Sequence, residues 1–168
     1  MSETFTGSFK VAATGTLTSS ADLVTNTSVL NYSKSYTIAN GTGADMANMI
    51  WSDTRTLSAS ATEDLDLAGV LTNTFGTTIT FTKIKGIIVS AAAANTNNVV
   101  VGGGTAGLIN WVGNVNDVVN VRPGGTFALM ANDATAYAVT ATTADILKIA
   151  NSAGTTSVTY DIVLIGTV

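Results

Sequence analysis

The chain reads as an all-β protein, a β-sandwich of jelly-roll type with one short helix, and three observations lead there. Apolar and polar residues alternate with a period of two in run after run, which places successive side chains on opposite faces of a strand. Turn signals built from Gly, Asn, Asp and the single Pro separate these runs at short intervals. Only one stretch shows helical spacing.

The organising stretch is Asp117–Met130, DVVNVRPGGTFALM. Val119 and Val121 alternate with Val118, Asn120 and Arg122, Arg122-Pro123-Gly124-Gly125 turns the chain, and Phe127 and Leu129 resume the alternation. Pro holds φ near −65° at the first corner of a turn and Gly accepts positive φ at the next, so a hairpin is expected. The runs Ala136–Ala141, Asp145–Asn151 and Ser157–Gly166 should continue it as an antiparallel meander.

From the start of the chain, residues 1–28 read as an N-terminal arm or edge strand. They are rich in Thr, Ser, Gly and Ala, with Phe5, Phe9 and Val11 able to share an edge strand and a soft, turn-like tail after them. Residues 29–168 form the sandwich domain. Val29–Ile38 alternates cleanly, with Leu30, Tyr32, Lys34, Tyr36 and Ile38 on one face. Ala44–Trp51 is the helical stretch, because Met46, Met49 and Ile50 fall at i, i+3 and i+4; it reads as an end plug of the sandwich or, alternatively, as a Met-rich binding surface. Trp51–Ala59 alternates again, and Asp53 and Arg55 can pair. Leu65 and Leu67 should point inward from an acidic rim of Glu63, Asp64 and Asp66. Ala68–Gly76 reads as a loop with a helical turn. Thr77–Ser90 is the longest strand expected, with a bulge or bend at Gly86. Val99–Val101 and Leu108–Val112 are short strands.

Composition narrows the function. Only 11% of residues are charged, against about 25% in an average soluble domain, so a surface of hydroxyl, amide and methyl groups must face neighbours with little charge to hold them apart. A net charge of −4 has the wrong sign for phosphate contacts, so no nucleic-acid partner is expected. Lys83 and Lys85 form a small basic spot or a solvated strand face. No run of about 18 apolar residues suits a membrane span, and no basic segment followed by an apolar one marks a signal peptide.

With His and Cys both at 0, the commonest general base and the best nucleophile are missing, so neither catalysis nor a cofactor is expected. Glu63, Asp64 and Asp66 read as a solvated rim, with weak Ca²⁺ binding or a glycosidase pair as sharper alternatives; no metal site is assigned. Gly102-Gly103-Gly104 lacks the Gly-Lys-Ser/Thr of a phosphate loop. Trp51 and Trp111 are core or interface anchors, or else line a sugar site.

Trp51–Gly86 and Asn98–Val168 together resemble the small β-rich virion proteins of tailed double-stranded DNA bacteriophages, closest to the head decoration (cement) class. The most specific piece is Arg122-Pro123-Gly124-Gly125 followed by Asp145–Ile149 and Val158–Ile165. The resemblance implies a non-enzymatic subunit on the capsid surface of the virion. Its partners would be the major capsid protein and copies of itself, as a homotrimer. No active-site residues carry over. The expected contact regions are Phe5, Phe9 and Val11 on the arm and Glu63, Asp64 and Asp66 on the rim. The alternative is a receptor- or glycan-binding sandwich of a phage tail or fibre.

Overall fold

The computed structural model describes residues 3–168. Among the described residues fourteen strands follow one another: β1 Gly7–Ser20, β2 Thr25–Asn40, β3 Met46–Ala47, β4 Met49–Leu57, β5 Thr62–Asp66, β6 Ala68–Thr72, β7 Thr78–Thr80, β8 Lys83–Ala91, β9 Val99–Gly102, β10 Val118–Val121, β11 Thr126–Met130, β12 Tyr137–Ala138, β13 Ile146–Asn151 and β14 Val158–Thr167. The protein is all-β, with several sheets and no helix among the described residues.

Two sheets form the body, in the orders β10-β9-β13-β5 and β11-β8-β14-β4, with β12 beside β8. Every pairing within them is antiparallel. The strands pair as nested partners: β4 with β14, β5 with β13, β8 with β11 and β9 with β10. First meets last, second meets next to last, and so inward, as in one long hairpin ribbon folded over itself. Leu65, Val99, Val101, Leu147 and Ile149 of the smaller sheet share one core with Ile87, Val89, Tyr160, Ile162 and Leu164 of the larger. Burial at every second residue is what the period of two in β13 and β14 requires.

Arg122–Gly125 is the tight turn expected. Gly125 N–H donates to the Arg122 carbonyl at 2.7 Å, and Gly124 takes φ 72°, the positive angle a type II turn needs after Pro. The expected hairpin is corrected, however. β10 pairs with β9 and β11 with β8, so the turn carries the chain from one sheet to the other. The expected meander fails for the same reason, since β13 and β14 also lie in different sheets.

The helix expected over Ala44–Trp51 is not formed. Asp45 adopts φ 53°, outside the right-handed helical region. Met46–Ala47 pairs in parallel with Ala39–Asn40, and Met49 onward pairs with β14. Long-range pairing with the most apolar strand outweighed an i, i+3, i+4 pattern only two turns long. Thr77–Ser90 likewise splits into β7 and β8, which pair in different sheets. The bulge expected at Gly86 lies beside it: Ile165 faces Gly86 and Gly166 faces Ile84, which leaves Lys85 as the extra residue. Ala68–Gly76 begins with strand β6, and Leu108–Val112 is irregular.

Candidate functional site

The feature that stands apart from the body is the β1–β2 ribbon. It runs in unbroken register from Gly7 opposite Ile38 to Ser20 opposite Thr25. The turn at its tip closes with Ala21 N–H donating to the Val24 carbonyl at 2.9 Å. Fourteen residues at about 3.4 Å each make an arm about 45 Å long. Gly7–Ser28 of the expected arm and the strand expected over Val29–Ile38 are thus parts of one element, while Met1 and Ser2 of that arm lie outside the described residues.

Directly opposed residues of an antiparallel pair lie on the same face, so the register sorts the arm into two. One face carries Phe9, Val11, Ala13, Leu17, Leu30, Tyr32 and Tyr36, with Lys34 among them. The other is Thr, Ser and Asn, with Lys10, Ala12 and Val29. At the base the apolar face is buried: Phe9 and Ile38 pack with Ala47 and Ile165 on the outer side of the larger sheet, flanked by Phe5, Tyr36, Ile88, Met130 and Val163. Phe5 N–H also donates to Asn40 Oδ1 at 3.0 Å. Further out no described residue covers the arm. Val11 is 46% exposed, Leu17 77%, Leu30 60% and Tyr32 55%, and Leu23 at the tip 97%. Of the three arm residues singled out from the sequence, Phe9 is therefore a buried anchor, Phe5 is half-buried beside it, and Val11 is where the open surface begins.

The acidic rim is taken apart. Glu63 shares the inward face of β5 with Leu65, and its carboxylate accepts from Arg55 Nε at 2.7 Å and from the hydroxyl of Tyr160. Arg55 also binds Asp53 at 2.7 Å, the pairing anticipated from their spacing. Asp64 is exposed on the opposite face. Asp66 accepts the Ala68 N–H at 2.8 Å. Among the described residues no three carboxylates converge as a metal site would require. Tyr160 is fully buried; burial first, and then the bond to Glu63, push its phenol well above its ordinary pKa.

A cleft of about 460 Å³ lies beside this network, between β4 and the β6–β7 connection, and includes Ile50, Asp53, Arg55 and Val70. β4 pairs on one side only, so its other edge faces this space. Asp53 Oδ1 takes the Thr54 N–H at 2.9 Å, blunting part of that edge. Asn73 organises the neighbouring turn by accepting the N–H groups of Phe75 and Thr77, which holds Phe75 79% exposed at the rim. Neither tryptophan offers the cleft a face for sugar stacking. Trp51 is buried at 7% exposure. Trp111 packs on Phe127 at 5.5 Å and donates its Nε1–H to the Leu108 carbonyl.

Away from the arm's base, the outer face of the larger sheet carries hydroxyl pairs and contacts: Thr54 on Asp161 at 2.6 Å, Thr56 on Thr159 at 3.0 Å and Ser90 on Thr126 at 2.9 Å. The expected basic spot is divided. Lys83 reaches the Ala134 carbonyl at the surface, whereas Lys85 is buried and donates to the carbonyls of Gly43 and Asp133. Burial lowers the Lys85 pKa.

Sequence reasoning missed the arm's partner strand. The alternation of Phe9, Val11, Ala13 and Leu17, mirrored across the Ala21–Val24 turn by Leu30, Tyr32 and Tyr36, is the signal that would have found it. No protein-family model, no curated protein and no solved structure matches the chain.

Proposed function

We propose that this chain is a structural virion protein, a decoration or cement subunit on the head of a tailed phage, whose arm and flat faces meet the major capsid protein and copies of itself in a homotrimer. The observation that carries the reading is the arm. A lone two-stranded ribbon is marginal in water, and the largest open apolar patch of a protein is often its contact surface. An element of this kind is kept because something covers it. The hydroxyl-lined outer sheet and the scarcity of charge support the same reading, since surfaces that meet a neighbour many times over need shape and apolar area more than charge, and weak contacts summed over a shell hold by avidity.

The nested pairing supports the jelly-roll form of the fold. Numbering β4, β5, β8, β9, β10, β11, β13 and β14 from 1 to 8, the two sheets run 1-8-3-6 and 2-7-4-5, the order obtained when an eight-strand ribbon rolls into two Greek keys. Mass spectrometry of purified particles tests the function: the chain should be present in many copies per particle, and its absence ends the proposal.

A further inference from the structure

We propose that the outer edge of β1 pairs with the outer edge of β1 in a second copy of this chain, antiparallel about a twofold axis at Thr14, so that two arms join into one four-stranded sheet in the order β2-β1-β1-β2. This goes beyond the reading above, because a twofold contact joins one homotrimer to the next and holds with or without a virion. Three observations choose this partner.

The first is the edge itself. In the sheet β1-β2-β3, β1 pairs on one side only, so every second residue turns its N–H and C=O outward with no strand to meet them. Such a row is a template for another strand unless it is kept short, charged, bulged or broken by Pro. The edges of the body carry these devices. β5, β10 and β11 are five, four and five residues long, and β4 carries Asp53 and Arg55. β1 has fourteen residues in unbroken register, no Pro, and Lys10 as its one charge. Independent stability of a ribbon needs three or more strands with an apolar face, and a second arm supplies the third and the fourth.

The second is the order of side chains along β1, which is nearly its own reverse about Thr14. Ala13 and Gly15 are small, Val11 and Leu17 are large and apolar, and Ser8 and Ser20 are identical. An antiparallel pair centred on Thr14 sets these residues opposite one another and Thr14 opposite itself. Opposed residues share a face, so the apolar side stays apolar across the join and the polar side stays polar. Val11 and Leu17, 46% and 77% exposed, then lie side by side, and the two Thr14 form a Thr–Thr pair of the kind that stabilises sheets. Leu17 of the copy thereby extends the apolar packing that Phe9 begins at the arm's base. A partner of unrelated sequence calls for no such symmetry. The outer edge of β2, by contrast, is taken at its root by β3.

The third is charge. Two joined arms bring two copies of Lys10 into one sheet. The register sets each Lys10 opposite Thr18 and leaves the two lysines eight positions apart, about 27 Å along the strands, well beyond the ~8 Å screening length of physiological salt. Lys34 lies on the far strand of each arm. The contact is self-complementary and closed, as twofold contacts are.

The absence of Cys makes the test clean. Thr14 and Asn31 are both exposed and face each other across β1 and β2. In the joined sheet Thr14 lies about 5 Å from its copy, whereas Asn31 lies three strand spacings from its own, about 14 Å. Thr14→Cys treated with the shortest bis-maleimide should therefore join to itself in much higher yield than Asn31→Cys. No product from Thr14→Cys, as arms stacked by their apolar faces would give, overturns the proposal. Equal or greater yield from Asn31→Cys, as pairing through β2 would give, overturns it too. In parallel, light scattering reads the particle mass of the full chain. Thr14→Lys sets like charges directly opposite on the axis and should lower the mass at least twofold, while Asn31→Lys should leave it unchanged. An unchanged mass with Thr14→Lys, or equal loss with both variants, overturns the proposal. Absence of the chain from purified particles would remove the virion reading and leave this one standing.

Discussion

Replacing Tyr160 with Phe removes one of the polar links that Glu63 makes between the two sheets at this edge, the other being Arg55. The ring is fully buried, so Phe fills the same space and only the hydroxyl is lost. Its bond runs to the Glu63 carboxylate, which keeps Arg55 on its other oxygen and has a side chain 18% exposed. A hydrogen bond to a charged group contributes about 1.5–3 kcal/mol. Because water can reach part of Glu63, the lower end applies, about 1.5–2 kcal/mol. For a chain of this size that is a fall in Tm of about 3–8 °C, readable by calorimetry or urea titration at pH 7. A second signature lies in alkali. The folded state holds the Tyr160 proton above the ordinary phenol pKa. This stability is therefore full below the unfolded value near 10 and drains away as pH rises beyond it. Tyr137, also raised by burial, acts in the same direction. Lys85 acts in the opposite one: its lowered pKa costs stability at neutral pH, and the cost is relieved as pH approaches the unfolded lysine value. Taking the difference between wild type and Tyr160→Phe removes both. That difference should be constant from pH 7 to 9 and shrink above about pH 10. Equal melting at pH 7, together with a difference that ignores pH, would refute the reasoning.

Three further outcomes follow from the same contacts. Phe9→Ala should release the arm's base, costing up to about 3–5 kcal/mol for that local docking and speeding hydrogen exchange along β1 and β2, whereas Leu17→Asp on the same face should shift monomer stability by less than about 0.5 kcal/mol; equal effects would mean the arm is not anchored as described. Ile162→Ala, at the fully buried centre of β14, should cost about 2–5 kcal/mol in a denaturant titration, and a loss under about 1 kcal/mol would contradict a shared core at that point. Asp133, held below its ordinary pKa first by the N–H groups of Ala136 and Thr135, stabilises the fold above the unfolded carboxylate pKa and loses that effect as pH falls. Asp133→Ala should therefore melt earlier than wild type at pH 7 and converge with it near pH 2, and a gap that persists in acid would contradict this.

The strands were legible where alternation was long and one face was buried. Ile146–Asn151 and Val158–Thr167 lie where the period of two placed them, and Asp53 and Arg55 pair as their spacing implied. Pairing was not legible, because turn chemistry specifies a reversal and not a partner: Pro123-Gly124 makes the same turn whether Val118–Val121 and Thr126–Met130 bond each other or opposite sheets. The Met46–Ile50 spacing failed because short apolar runs fit both periods, and β14 supplied a partner no local rule can see. Of the site, Val11 was read as a contact residue, and the structure leaves it exposed. Phe9 was not, since its burial comes from Ile165, far away in the chain. Glu63 was separated from Asp64 by the pleat of β5, and its role was set by Arg55 and by Tyr160, which lies at the other end of the sequence.

The most direct test of the central claim, that the arm exists to be covered by neighbours in a shell, is a cryo-electron microscopy reconstruction of intact particles. The account predicts this chain on the outer surface of the head, with Leu17, Leu30 and Tyr32 buried against adjoining subunits. Particles that carry the chain with its arm extended into solvent on every copy would contradict it.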